Sequence, residues 1–326
     1  MRYPASEKFE ILTLVDQSHL PIRRTLKMLG ISSSSFYRWV DLYERFGFEG
    51  LEDKPSRPSH VWNRIPDEIR AKIIELALDC PELSPRELAV RFTEQEEYFV
   101  SESSVYRLLK EHDLITSPAY VVIKAADEFH DKTTEINQLW QTDFTYLKVI
   151  NWGWHYLSTI LDDYSRYIIA WKLCKTMTAP EVMETVDLAL QASGCDQAQV
   201  AYKPRLLSDN GSSYISHDLA EWLDDKGMDH IRGAPYHPQT QGKIERWHQT
   251  LKNRILLENY YFPEDLERQI AAFIEHYNHH RYHESLQNLT PADVYFGRDK
   301  DILTKREEIK RKTLQSRRLK HHKRAA

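Results

Sequence analysis

Hydrophobic positions along the first fifty residues recur at the spacing of short helices. The first segment takes its apolar content from Phe9, Ile11, Leu12, Leu14 and Val15. Pro21 then begins a second helical segment that Gly30 is placed to end, and Ser32 or Ser33 can cap a third. We therefore predict a helix-turn-helix domain over residues 1–54.

The third of these helices carries polar residues close to its start. They are Ser34, Ser35, Tyr37 and Arg38. Small polar side chains and arginine near the N-terminus of such a helix reach base edges and phosphates when the helix lies in a major groove. DNA contact through these four residues is expected, and an ordinary three-helix bundle is the alternative.

A proline-containing stretch, residues 55–65, predicts a linker to a second helical module at residues 66–115. The last of its three predicted helices repeats the composition of the first domain's third helix, and Ser103, Ser104 and Arg107 are the residues we expect to contact DNA. Residues 61–124 hold eight Lys/Arg against twelve Asp/Glu, so a structural or dimerising role is the alternative. Residues 116–136 are predicted to be a connector.

From residue 138 onward the pattern changes to runs rich in β-branched and aromatic residues, joined by polar turns. Three such runs within residues 138–176 predict an antiparallel meander. Short apolar runs further on predict two more strands, and helical periodicity lies between and after them. The strands are expected at 205–208 and 228–232, and the helices at 179–192, at 216–226 and around Glu245. This order predicts an α/β fold, a mixed sheet with flanking helices, behind the all-α domains.

Three acids occupy informative positions in this core. Asp143 lies on the first predicted strand, Asp209 ends a later strand, and Glu245 follows after thirty-five intervening residues on a helix. The apolar face of that helix holds Ile244, Trp247, Leu251 and Ile255. Two carboxylates about 4 Å apart repel by roughly 4 kcal/mol at an effective dielectric of 20, and a hard divalent ion relieves that repulsion. The three acids therefore predict a metal site, although singly Asp209 fits a turn residue and Glu245 a solvated helix position.

Other possible ligands lie near these acids. Asp162 and Asp163 precede Tyr164-Ser165-Arg166 and fit a hairpin turn better than a metal site. Four histidines have the spacing of metal ligands on a helix, but the end of a helix is the favoured interpretation. They are His276, His279, His280 and His283.

Polar residues around Asp209 and Glu245 supply further candidates for DNA contact. They are Asn210, His237, Gln239, Gln241, Lys243, Arg246 and Lys252. His237 could bind phosphate, position water or pack against the core. Arg246 and Lys252 flank the acid and suit phosphate contacts, with simple solvated charges as the alternative.

The motifs around the three acids resemble the integrase core of bacterial insertion-sequence transposases. They are Trp140-x-x-Asp143, Ser208-Asp-Asn-Gly211, the run PYHPQTQGKIER that contains Glu245, and Tyr277-Asn-x-x-Arg281-x-His283. The resemblance covers about residues 136–297. It implies a ribonuclease-H-like catalytic core over residues 137–260, with a C-terminal helical part at 261–298. It also implies that Asp143, Asp209 and Glu245 are catalytic and bind two Mg²⁺ or Mn²⁺ ions.

Composition and charge modify this interpretation in two ways. The hydrophobic fraction of 41% and the charged fraction of 29% suit a soluble globular protein, and three cysteines without paired spacing favour a reducing cytosol. Net charge is −5, but residues 300–326 alone carry +8. We predict a basic tail at 299–326 that contacts phosphates, with a solubilising or disordered end as the alternative. The expected location is the bacterial cytoplasm, in association with the nucleoid and without a membrane span.

The resemblance implies a DNA transposase that cleaves at the inverted repeats ending its element and transfers the freed 3′-hydroxyl into target DNA. Two ions can activate the attacking oxygen and stabilise the leaving oxygen of such a displacement. Assembly as a homo-oligomer on double-stranded DNA is expected from the same resemblance. The alternatives are a DNA-binding repressor that keeps the core without using it, and a ribonuclease-H-like nuclease. The helix-turn-helix pattern disfavours the nuclease, because an RNA–DNA hybrid is not read in a B-form major groove.

Overall fold

The computed structural model describes residues 3–52, 62–115, 133–197, 202–233 and 242–325. Much of the predicted linker and most of the predicted connector lie outside these residues. The chain forms two compact units, Met1–Arg64 and Ile65–Ala326. Each unit is therefore described by itself.

The first unit contains three helices, α1 (Ala5–Asp16), α2 (Ile22–Met28) and α3 (Ser33–Phe46), followed by a 3₁₀ turn at Phe48–Leu51. Its small core is built around Leu26, Trp39 and Leu51. The Ser32 hydroxyl accepts a hydrogen bond from the backbone N–H of Ser35 and so caps α3. Gly30 ends the α2 segment with a φ of 69°, which favours glycine. The predicted helical pattern of this region is confirmed.

The second unit begins with α4 (Asp67–Asp79), α5 (Pro85–Gln95) and α6 (Glu102–Glu111). Ser84 and Glu87 form a capping box at the start of α5, with both reciprocal hydrogen bonds present. Ile73, Phe92 and Val105 are almost fully buried where the three helices meet. These helices match the second predicted helical module.

The core sheet contains β1 (Leu139–Val149), β2 (Gly153–Asp162), β3 (Ile168–Cys174), β4 (Arg205–Ser208) and β5 (His230–Arg232). Its order is β3-β2-β1-β4-β5. Strands β1, β2 and β3 pair antiparallel, whereas β4 pairs parallel with both β1 and β5. The sheet is therefore mixed, as predicted, and β1 is central.

Helices cover the two faces of this sheet. On one face α7 (Ala179–Ser193) and α8 (His217–Asp225) bury a cluster with Trp140 and Leu206. On the other face α9 (Gly242–Ile255) and α10 (Pro263–His279) pack over Leu147 and Leu161. All four apolar α9 residues predicted to share a face are buried. Ser216 is the N-cap residue of α8, although its side chain makes no capping hydrogen bond.

The chain ends with α11 (Pro291–Tyr295) and the long helix α12 (Asp299–Ala325). The guanidinium of Arg306 donates to Glu94 of α5 at 2.8 and 2.5 Å, and Arg317 donates to the Tyr98 hydroxyl at 2.8 Å. The predicted basic tail is therefore a helix that packs against the second helical module, and the alternative of a disordered end is wrong. The side chains of Arg306 and Arg317 that make these contacts are therefore not free to bind DNA. Across the described residues, no helix is long and apolar enough to cross a membrane.

Candidate active site

Asp143 lies in the middle of β1, on the face of the sheet that packs against α9. One carboxylate oxygen accepts a hydrogen bond of 2.8 Å from the backbone N–H of Phe144. The other lies 3.4 Å from Nδ1 of His248, a buried residue of α9. The Asp143 side chain retains 23% of its exposure, so a ligand can still reach the carboxylate.

Asp209 directly follows β4. The parallel register pairs Gln141 with Leu207, so continuing it by two residues brings Asp209 beside Asp143. The backbone N–H of Gly211 donates to the Asp209 carboxylate at 2.8 Å. A Cβ at position 211 would lie 2.9 Å from the same carboxylate oxygen, so a larger residue there would displace the Asp209 side chain.

The two aspartates repel each other. Burial raises the pKa of Asp209, the Gly211 hydrogen bond opposes that shift, and the negative charge of Asp143 adds to it. The same two charges help to raise the pKa of Tyr214, a residue whose burial is the main cause. Its hydroxyl lies 3.5 Å from that of Thr142. The structure therefore brings together two carboxylates whose repulsion a cation would relieve.

Glu245 lies in the first turn of α9 and is exposed. No group of three or more His, Cys, Asp or Glu side chains within the described residues is arranged to hold a metal ion. The structure therefore brings Asp143 and Asp209 together without adding Glu245 to them as a third ligand.

The start of α9 is nonetheless attached to the strand that carries Asp143. The Gln141 side chain accepts a hydrogen bond of 3.1 Å from the N–H of Ile244 and donates one of 2.7 Å to Asp163. Lys243, predicted to contact DNA, instead donates to both the carboxylate and the backbone carbonyl of Asp163, at 2.7 and 2.8 Å. Glu245 therefore extends from a helix whose first turn is fixed by buried polar groups.

Asp162 is the last residue of β2 and Asp163 begins the turn to β3, in agreement with the predicted hairpin turn. Asp162 accepts hydrogen bonds from the backbone N–H groups of Asn137 and Ser165, both at 2.8 Å, and from the Ser165 hydroxyl at 2.6 Å. Burial raises the pKa of Asp162, and these hydrogen bonds oppose the shift. Both aspartates are buried and serve the fold.

The other predicted DNA-contact residues of the core differ in what they touch. Asn210 is exposed and donates to the carbonyl of Gly233 at 2.7 Å. The Lys252 ammonium lies 4.1 Å from the centre of the Tyr146 ring. Arg246 is exposed beside Glu245. His237, Gln239 and Gln241 lie outside the described residues.

The two helices predicted to contact DNA start in similar ways. On α3, Ser34, Tyr37 and Arg38 are exposed, while Ser35 is partly buried by its bonds to Ser32. On α6, Ser103 and Arg107 are exposed, and the Ser104 hydroxyl lies 2.9 Å from that of Ser101. The Arg107 side chain donates to the carbonyl of Ser103 at 3.0 Å.

Sequence reasoning missed two residues of this site, His248 and Gln141. His248 lies one helical turn after Glu245, a spacing that places both near the same side of α9. Gln141 lies two residues before Asp143 and so points to the same face of β1. The helical spacing and the strand alternation were therefore the sequence signals that could have identified these two residues.

Comparisons with known proteins agree with this architecture. Two models described as "Integrase core domain" match residues 133–238 and 226–291. A "Helix-turn-helix domain" model matches residues 7–59, and a "Homeodomain-like domain" model matches residues 35–109. Helix-turn-helix elements therefore precede an integrase core in this chain.

Two similar proteins are transposases by name. The chain is 24% identical to the transposase for transposon Tn552 of Staphylococcus aureus, over 90% of this chain and 67% of that protein. It is 30% identical to the transposase for insertion sequence element IS904 of Lactococcus lactis, over 50% of this chain and 62% of that protein. Among solved structures, the HTLV-2 integrase catalytic core domain in complex with magnesium is 20% identical with a TM-score of 0.41, over 50% of this chain and 99% of that one.

Proposed function

We propose that this chain is a transposase with an integrase core, and that Asp143, Asp209 and Glu245 are its catalytic acids. The proposed reaction is metal-dependent cleavage of DNA at the element's terminal inverted repeats, followed by transfer of the 3′-hydroxyl into target DNA. The proposed setting is the nucleoid of a bacterial cell, with several copies of the chain assembled on the DNA.

One observation carries the proposal: Asp143, in the middle of β1, lies beside Asp209, which directly follows the parallel strand β4, and the charge of Asp143 adds to the rise in the pKa of Asp209 that burial causes. Carboxylate oxygens are the ligands that Mg²⁺ and Mn²⁺ prefer, so this donor set fits such an ion. Asp143 and Asp209 would hold it, and Glu245 would complete the set. When bound, two divalent ions would activate the attacking oxygen and stabilise the leaving oxygen of a phosphodiester.

The protein's own groups orient these ligands. The Phe144 N–H and His248 hold the Asp143 carboxylate, and the Gly211 N–H holds that of Asp209. Gln141 and Lys243 fix the first turn of α9, and so the base of Glu245. Oriented acids are what an in-line displacement requires, because misplacement of the reacting groups lowers its rate.

DNA would be held by groups outside the acid site. The exposed residues at the start of α3 suit a major groove, and Arg246 and Lys252 lie on the helix that carries Glu245. Lys243 is a weaker candidate for this role, because its ammonium already donates to Asp163. The residues of α6 are weaker candidates than those of α3, because their module is acidic and packs against α12.

Cleavage of DNA that carries the element's ends tests the proposal. Asp143→Asn, Asp209→Asn and Glu245→Gln should each lower cleavage at least about a thousandfold, since metal ligands contribute several kcal/mol to such reactions. Binding of the same DNA should remain close to that of the wild type. The duplex is taken from the DNA that flanks the gene, and nicked and joined products are separated on a denaturing gel.

Gln249→Glu, on an exposed position of the same helix, is the control for a general effect of altering α9. Magnesium-dependent joining by any of the three acid variants would contradict the assignment of that acid. A wild-type protein that binds the ends and never nicks them would instead be a DNA-binding repressor.

A further inference from the structure

Three arginines from separate elements lie around one buried tyrosine. Arg166 comes from the turn between β2 and β3, Arg246 from the first turn of α9, and Arg281 from the residues that follow α10. All three act electrostatically on the Tyr277 hydroxyl, in the direction opposite to the burial that raises its pKa to about 12. We call these three residues the arginine cluster.

Ring contacts locate the cluster beside α9. The guanidinium of Arg281 lies 6.0 Å from the centre of the Tyr277 ring. That ring packs 4.5 Å from the ring of Trp247, the residue after Arg246, and 4.9 Å from that of His283. The cluster therefore lies against the end of α9 that bears Glu245.

The three arginines of the cluster make no ion pair within the described part of the chain. Their guanidinium groups also form no side-chain hydrogen bond among the described residues, and Nε of Arg166 is buried without a partner. Asp163, the carboxylate that acts on Arg166, is already bonded to Lys243, Gln141 and Thr133. Residues 234–241, which precede α9, contain no Asp or Glu.

The effect on neighbouring groups agrees with this excess of positive charge. Burial lowers the pKa of His283 to about 3, and Arg281, Arg166, Arg86 and Arg246 all act in the same direction. The Nε2 atom of His283 is buried without a hydrogen-bond partner among the described residues. Holding like charges together in a partly buried place costs free energy unless an anion binds there.

We propose that Arg166, Arg246 and Arg281 form a binding site for a phosphate of the DNA backbone. Guanidinium groups match phosphate oxygens in a fork geometry, and partial burial strengthens each contact. A backbone phosphate held here would lie next to Glu245, which suits DNA that enters the acid site. The choice of DNA over a free anion rests on the proposed function, whereas the phosphate site itself rests on the cluster.

The salt dependence of DNA binding tests the site without requiring cleavage. The full chain binds a short duplex of arbitrary sequence in the presence of EDTA, and the logarithm of affinity is plotted against that of salt concentration. Each lost phosphate contact should reduce the slope by about 0.9. Arg166→Gln, Arg246→Gln and Arg281→Gln should each show this reduction, while Arg166→Lys, which keeps the charge, should retain most of the slope.

Arg268→Gln is the matched control, because Arg268 is an exposed arginine of α10 that pairs with Asp265. Its slope should equal that of the wild type. Thermal unfolding of every variant checks that Arg166→Gln is folded, and Arg246→Gln alters only an exposed side chain. Slopes unchanged in all three cluster variants would overturn the site, even for a wild-type protein that cleaves DNA normally.

Inorganic phosphate separates the two possible sources of the anion. One outcome would overturn the DNA assignment and show that the cluster binds a free anion. In that outcome phosphate raises the unfolding temperature of the wild type but not of Arg166→Gln, while the salt slopes of the cluster variants equal that of the wild type. Reduced slopes support the DNA assignment. Failure of the wild type to cleave would count against the proposed function alone, since the slopes are measured without metal.

Discussion

Two pairs of aspartates lie on the same sheet and have opposite surroundings. Asp162 and Asp163, where β2 ends and the turn to β3 begins, are buried and accept hydrogen bonds from backbone, hydroxyl, amide and ammonium donors. Asp143, in the middle of β1, and Asp209, directly after β4, keep access to solvent and repel each other. A carboxylate that the fold satisfies stabilises structure, whereas one left with a repelling neighbour is available to a ligand.

The largest difference between the pairs should be in stability. Asp162→Ala leaves two buried backbone N–H groups and the Ser165 hydroxyl without their acceptor, so the free energy of unfolding should fall by about 3 kcal/mol. Asp143→Ala should cost far less, because it accepts one backbone hydrogen bond at a partly exposed site. Urea denaturation of both variants measures their free energies of unfolding. Equal losses in the two variants would contradict the expected difference between the pairs.

A second variant tests whether Asp163 serves the acid site through α9. Lys243→Met removes the cation that donates to Asp163, and we expect a loss of about 2 kcal/mol, less than for a fully buried pair because Lys243 is one-third exposed. Cleavage should fall as well, since the first turn of α9 loses a contact that positions Glu245. Lys226→Met, which breaks a pair between α8 and α7, is the control. Normal cleavage by Lys243→Met would show that α9 does not depend on this contact.

The smallest effect should come from relieving the repulsion at the acid site. In metal-free buffer Asp209→Asn should raise the free energy of unfolding near neutral pH by about 0.5 kcal/mol, discounted for partial exposure. The pKa of Asp209 is raised in the folded state, so its contribution is favourable below the unfolded pKa of about 4 and is lost as pH rises through the folded pKa. Wild type should therefore lose more stability than Asp209→Asn as pH rises through the folded-state pKa of Asp209. Parallel pH profiles would contradict this account.

The two helical modules show that the role predicted for a helix depends on the elements that pack against it. Helices α3 and α6 both begin after a serine and carry Ser-Tyr-Arg side chains, so their sequences predict the same role. The α6 module, however, packs against α12 through Arg306–Glu94 and Arg317–Tyr98. The predicted basic tail therefore has a structural partner more than two hundred residues away in sequence, which periodicity could not reveal.

Local patterns in the sequence determined the elements of this protein. The strand at residues 205–208 was predicted with the bounds that β4 has, and the helix predicted around Glu245 is α9. These features depend on contacts between residues at most a few positions apart. The position of Asp143, Asp209 and Glu245 on two strands and a helix follows from the same local signals.

Only the tertiary structure decided which of these side chains meet. Parallel pairing of β4 with β1 brings Asp209 beside Asp143, and packing of α9 brings His248 to Asp143 while Lys243 turns to Asp163. The same packing gathers Arg166, Arg246 and Arg281 around Tyr277. The physical reason is that a partner across the sheet is selected by burial and register summed over the whole core, and no short stretch of sequence contains that information.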